Sequence, residues 1–176
     1  MKIYTRKVTL SIIMFFIALV IQYAVKIYPS FGTTLRPIHI VVILCGFLCG
    51  PIAAMTLGFV IPPMSAMLFS VPAVFPTGFV TAFELAAYGF FTGSIYGLMR
   101  KNAVNIYITL ISSMLVGRLV LGAAMFTAGI SSTNKFTFGM YFSEAFTSCF
   151  LGILLHLAVI PPVVYVCERF NLMGRK

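Results

Sequence analysis

The chain has no aspartate, only three acidic residues in 176, and just 9% charged residues. Without Asp, the aspartate-rich sites of membrane phosphatidyltransferases are excluded. There is no G-x-S-x-G nucleophile elbow and no paired-histidine metal motif. There is also no Walker A sequence, so the chain cannot hydrolyse ATP by itself. The expectation is a non-enzyme. If it drives uptake, the energy comes from a partner or an ion gradient. Cysteine is sparse: Cys45, Cys49, Cys149 and Cys167 all lie in apolar runs. Cys45 and Cys49 share a helix face, but a metal site wants more ligands nearby, so they read as small packing residues. No cofactor or metal is expected.

What the chain has in abundance is apolar surface. Hydrophobic residues make up 61% of it and the mean hydropathy is +1.08. A soluble domain is about half apolar and about 25% charged. A water-soluble fold could not hide this much apolar surface, so the solvent is largely lipid. The formal net charge of +9 does not point to nucleic acid, because the basic residues sit at the ends of apolar runs.

A spanning helix needs about 20 apolar residues, fewer where neighbours shelter its ends. The sequence predicts an all-α membrane domain over 1–176, a compact bundle of six helices at approximately 8–28, 38–49, 52–69, 77–99, 103–128 and 140–167. The first could mimic a signal peptide, but no small-x-small cleavage site follows it, and it reads as a membrane helix. The second is short. Gly50-Pro51 forces a tight turn after it. Pro62-Pro63 kinks or breaks the third helix, because proline cannot donate a backbone hydrogen bond. Helix four carries Ala82, Ala86, Gly89, Gly93 and Gly97 on one face, where small residues let backbones approach.

Six spans put both termini on one side. That side collects Lys2, Arg6, Lys7, Arg100, Lys101, Arg169, Arg175 and Lys176. The other collects Lys26, Arg36 and Lys135. The positive-inside rule then makes both termini cytoplasmic, in the cell membrane.

Ionisable groups inside lipid are expensive and mark sites by default. Glu84, Arg118 and Glu144 sit within helices four, five and six. Thr77, Thr81, Glu84 and Tyr88 form one stripe of helix four, opposite its small-residue face. His39 opens helix two, and Thr147 and Ser148 accompany Glu144. These groups gather in the outer half, which favours an outward-facing binding pocket over a proton relay reaching both faces. The competing reading is an ion pair, Glu84–Arg118 or Glu144–Arg118, that only holds helices together. His156, deep in helix six without a polar neighbour in sequence, reads as packing.

The stretch from Arg36 to Tyr96 contains Pro37-Ile-His39-Ile, Leu44-Cys-Gly46-Phe-Leu-Cys-Gly50-Pro51, Ile61-Pro62-Pro63 and Phe83-Glu84-Leu-Ala-Ala-Tyr88-Gly89. In order and spacing it resembles the substrate-binding S component of energy-coupling factor (ECF) vitamin transporters. The motif-level likeness covers about a third of the chain; length, helix number and basic termini also agree. The resemblance implies capture of a vitamin near the outer face, followed by association with a membrane coupling protein and two ATPases. It implies no catalytic residues. It places His39 and Glu84 at motif positions, and it implies partner docking through small residues of helix one, here Ser11 and Ala18 in a motif that is not clean.

The substrate-binding candidates are thus His39, Thr81, Glu84, Tyr88, Arg118, Asn134 and Glu144. Arg118 suits a carboxylate, as in niacin or pantothenate. Glu84 or Glu144 suits a ring amine or hydroxyl, as in pyridoxine or hydroxymethylpyrimidine. Tyr88, Phe75 and Phe136 could stack on a flat ring. Two other classes stay open: a self-sufficient ion-coupled carrier and a non-transporting membrane scaffold.

Overall fold

The computed structural model describes residues 2–29, 32, 35–70, 73–100, 102–131, 137, 139, 141 and 150–169. Six α-helices lie among them and no strand does. They are α1 (Lys2–Ile27), α2 (Pro37–Cys49), α3 (Pro51–Phe69), α4 (Phe79–Leu98), α5 (Ala103–Ser131) and α6 (Phe150–Arg169). Four helical stretches are long and apolar enough to cross a membrane: Thr5–Ile27, Pro51–Phe69, Ala103–Ala128 and Phe150–Arg169. Bulky apolar side chains face outward along them; Val20 on α1 is 68% exposed and Leu119 on α5 is 71% exposed. Such surfaces suit lipid, and the chain is an all-helical, multi-pass membrane protein.

α2 explains how a short helix fits. Its 13 residues rise only about 20 Å, less than the ~30 Å of a hydrocarbon core. Pro37, Ile38, His39, Val41, Val42, Ile43, Cys45, Gly46, Phe47, Leu48 and Cys49 are all buried. The helix is sheathed by α1, α3, α4 and α6, so it presents little side-chain surface to lipid. Pro37 starts it at a position where the missing N–H costs nothing. Gly50 ends it at φ 100° and ψ 178°, a conformation that L side chains rarely adopt, and Pro51 starts α3 at once. This is the expected tight turn.

α3 is not broken at its prolines. Pro62 and Pro63 lie inside a helix that runs unbroken from Pro51 to Phe69. Proline's fixed φ of about −65° is compatible with a helix. The Ser65 hydroxyl donates to the Pro62 carbonyl at 3.0 Å, and Gln22 Nε2 of α1 lies 3.3 Å from Ser65 Oγ. Ser70 closes α3 in the left-handed region (φ 59°), its N–H bonded to the Ala66 carbonyl at 3.0 Å. A π-helical turn, Val74–Gly78, then leads into α4, with Phe75 extended inside it and Gly78 N–H donating to Ala73 O at 2.8 Å. Helix four therefore begins at Phe79, and Thr77 belongs to this turn.

α4 is central, packed on α2, α3 and α5. Its small-residue face meets α3 antiparallel. A Cβ on Gly93 would stand 2.4 Å from Pro51 N, one on Gly89 2.6 Å from the Ala54 carbonyl, and one on Gly58 of α3 2.6 Å from the Leu85 backbone. Gly97 has nothing within 4 Å and takes no part in this contact.

The start of α1, the α2–α3 turn and the ends of α4 and α6 lie together. Lys7 and Ser11 share a groove with Cys49 and Pro51, Pro51 backs Gly93, and the Tyr96 hydroxyl bonds to the Glu168 carboxylate. The described ends of the chain thus share one end of the bundle. The starts of α2 and α4 lie at the other.

Candidate functional site: a buried carboxylate shared by two arginines

At that other end, α4 places Glu84 in its second turn, fully buried. Its Oε1 accepts from Arg118 Nη1 of α5 at 3.0 Å. Its Oε2 lies 3.5 Å from Arg36 Nη1 and 3.6 Å from His39 Nε2. Arg36 stands just before α2 in the left-handed region (φ 44°, ψ 55°), a costly conformation for a residue with a Cβ. That geometry turns the chain into α2 while its guanidinium reaches Glu84. Three segments of chain thus converge on one carboxylate inside an apolar bundle. An unpaired charge there would be prohibitive, and the guanidiniums supply the compensation.

The site extends through aromatic rings. Tyr88 lies one turn beyond Glu84 on the same face and meets the His39 ring edge-on, with centroids 5.3 Å apart at 72°. It lies against α5 where Gly117 leaves room: a Cβ there would stand 2.7 Å from the tyrosine ring. His156 of α6 stacks on His39, with centroids 6.0 Å apart and planes 28° apart. The Tyr141 hydroxyl donates to the Arg118 carbonyl at 3.1 Å.

Several buried polar atoms here have no hydrogen-bond partner: both ring nitrogens of His39, both of His156, and Arg118 Nε. Each such group costs about 1–3 kcal/mol when left unmade. Unsatisfied groups gathered at one place are uncommon in a folded core and call for a physical explanation. Among the described residues no group of three or more metal-ligating side chains forms. Cys45 and Cys49 are free and buried in the core.

Of the residues expected from sequence, His39, Glu84, Tyr88 and Arg118 are brought together. Thr81 is half-buried, and its hydroxyl donates to the Thr77 carbonyl of its own helix start at 2.8 Å. Asn134 and Glu144 lie outside the described residues, as do Phe136, Thr147 and Ser148. Ser11 lines the groove at the opposite end, with its hydroxyl donating to the Lys7 carbonyl at 2.8 Å. Ala18 is fully buried in the core and presents no surface to a partner. Docking through Ala18 therefore does not fit its position: α1 turns this small residue inward.

Two members were missed. Arg36 looked like a loop charge, although its spacing of three from His39 at the mouth of α2 was a usable signal. His156 looked like packing, because its partner lies more than a hundred residues away in sequence. The chain matches no family model, no curated protein and no solved structure.

Proposed function

We propose that the chain is the substrate-binding subunit, the S component, of an ECF-type transporter. It captures a small B-type vitamin or precursor, of the niacin, pyridoxine, hydroxymethylpyrimidine or pantothenate kind. The observation that carries this reading is the Glu84 cluster: buried charged and unsatisfied polar groups from α2, α4, α5 and α6, gathered at one end of the bundle. A membrane protein concentrates such groups where a polar ligand is handled. In this reading the cluster faces the outside of the cell membrane, and both termini are cytoplasmic, on the basic side of the molecule. The subunit works with a membrane coupling protein and two ATPases, which hydrolyse the ATP.

The groove of about 630 Å³ at the terminal end, lined in part by Lys7, Ser11, Phe15, Cys49, Thr56 and Val60, agrees with a docking face between α1 and α3. Co-expression with an energy-coupling module tests the assignment. Vitamin uptake by cells that depends on both this chain and an intact ATPase supports it. Uptake that persists with an inactivated ATPase turns the assignment into an ion-coupled carrier.

A further inference from the structure

The arrangement of donors around Glu84 bears on the ligand's chemistry, and this step rests on the binding-subunit reading above. Both Glu84 oxygens already face donors: the Arg118 guanidinium at 3.0 Å on one, the Arg36 guanidinium at 3.5 Å and the His39 ring at 3.6 Å on the other. A cationic group of a ligand approaching this carboxylate would meet two guanidiniums first. The unsatisfied atoms nearby include the Nε–H of Arg118, a charged donor that cannot accept. They also include the two ring nitrogens of His156, which as a neutral ring offers one donor; the Nε2 of His39 faces Glu84, which leaves its Nδ1 as an acceptor. Arg118, His39 and His156 are 5%, 2% and 3% exposed, so bulk water does not supply the missing partner.

We infer that the ligand enters the cluster acceptor-first, with a carboxylate received by Arg118 Nε and the ring of His156. A guanidinium edge and a carboxylate match in charge and in planar geometry, which a neutral amide or alcohol does not reproduce. Glu84 is then a positioning residue. It holds Arg118 by one Nη, keeps Nε available, and does not touch the ligand. Arg36, with its side chain 13% exposed, is more open than Arg118, His39 or Glu84, and it marks the side from which the ligand arrives.

The test compares acid and neutral forms of the same scaffold on the purified full chain in detergent. Nicotinate is set against nicotinamide, and pantothenate against panthenol, with pyridoxine and hydroxymethylpyrimidine as neutral probes and thiamine as a cationic one. Equilibrium binding is expected for one acid at an affinity at least ten-fold above its neutral partner. Arg118→Lys keeps a cation beside Glu84 but removes the Nε donor, and it is expected to abolish that preference. If Arg118→Lys does not fold, His156→Phe removes the imidazole donor and leaves the contacts of Glu84 in place, and it is expected to weaken acid binding at least ten-fold. Equal binding of acid and neutral forms, tighter binding of pyridoxine, hydroxymethylpyrimidine or thiamine, or an acid preference that survives these variants would overturn the inference and leave the binding-subunit reading standing. A folded protein that binds none of these probes would overturn both.

Discussion

Arg118 Nη1 on α5 stands 3.0 Å from Glu84 Oε1 on α4, with both side chains buried. The pair joins two helices of the bundle, and it fixes where the guanidinium sits. Glu84→Gln removes the charge and leaves two arginines facing each other. The expected loss is about 3–5 kcal/mol of stability, the usual result of breaking a buried pair from one side. Chemical denaturation in detergent reads it. Arg118→Gln combined with Glu84→Gln restores much of that stability, yet ligand binding stays lost. Retained binding in the double variant would reduce the pair to a structural tie.

The α3–α4 contact depends on missing side chains. Gly89→Ala pushes a methyl to 2.6 Å from the Ala54 carbonyl, so the helices part or the variant fails to pack. A cost of about 1–3 kcal/mol follows. Gly97→Ala, with nothing within 4 Å, is the matched control and leaves the melting temperature unchanged or slightly raised. Equal effects at both positions would refute the close contact.

Gly117→Ala acts on the site from behind. Its methyl would stand 2.7 Å from the Tyr88 ring, which is wedged between α5 and His39. The ring shifts, and His39 moves with it. We expect an affinity loss of about ten-fold, or about 1.4 kcal/mol, larger than the change in folding stability. Titration of wild type and variant with the same ligand provides the comparison.

At the terminal end, the Tyr96 hydroxyl ties α4 to α6 through Glu168. Tyr96→Phe removes one hydrogen bond and costs about 1 kcal/mol. The tie lies at the opposite end from Glu84, so ligand affinity is expected to hold. An affinity change in Tyr96→Phe would mean that the two ends are coupled.

Helix number was legible in the sequence, and so was the need of Arg118 for a carboxylate, with Glu84 and Glu144 as alternatives, because both rest on strong local penalties. Apolar runs bounded by Pro, Gly and basic residues leave few alternatives in lipid, and Glu84 and Arg118 inside such runs demand company. The small-residue face of helix four also read correctly at Gly89 and Gly93. The α3 prolines do not break their helix, and the sequence alone left kink and break open, because packing against α1, α2 and α4 decides how a helix tolerates the lost N–H groups. Arg36 and His156 were hidden for another reason. Their roles come from chain reversal before α2 and from packing of α6 on α2, and no periodicity within one helix encodes either. Ala18 failed as a docking residue because a small residue on a helix face suits an internal contact as well as an external one.

The most direct measurement is thermal unfolding of the purified chain in detergent against a panel of B-type vitamins, for wild type and for the Glu84→Gln, Arg118→Gln double variant. A ligand that binds only the folded state adds about 2.7 kcal/mol of stability at a hundred times its Kd. The account predicts a concentration-dependent rise in Tm with one vitamin in the wild type and none in the double variant. A well-folded wild type that shows no shift with any vitamin would contradict it, and the Glu84 cluster would then be a tie between helices and nothing more.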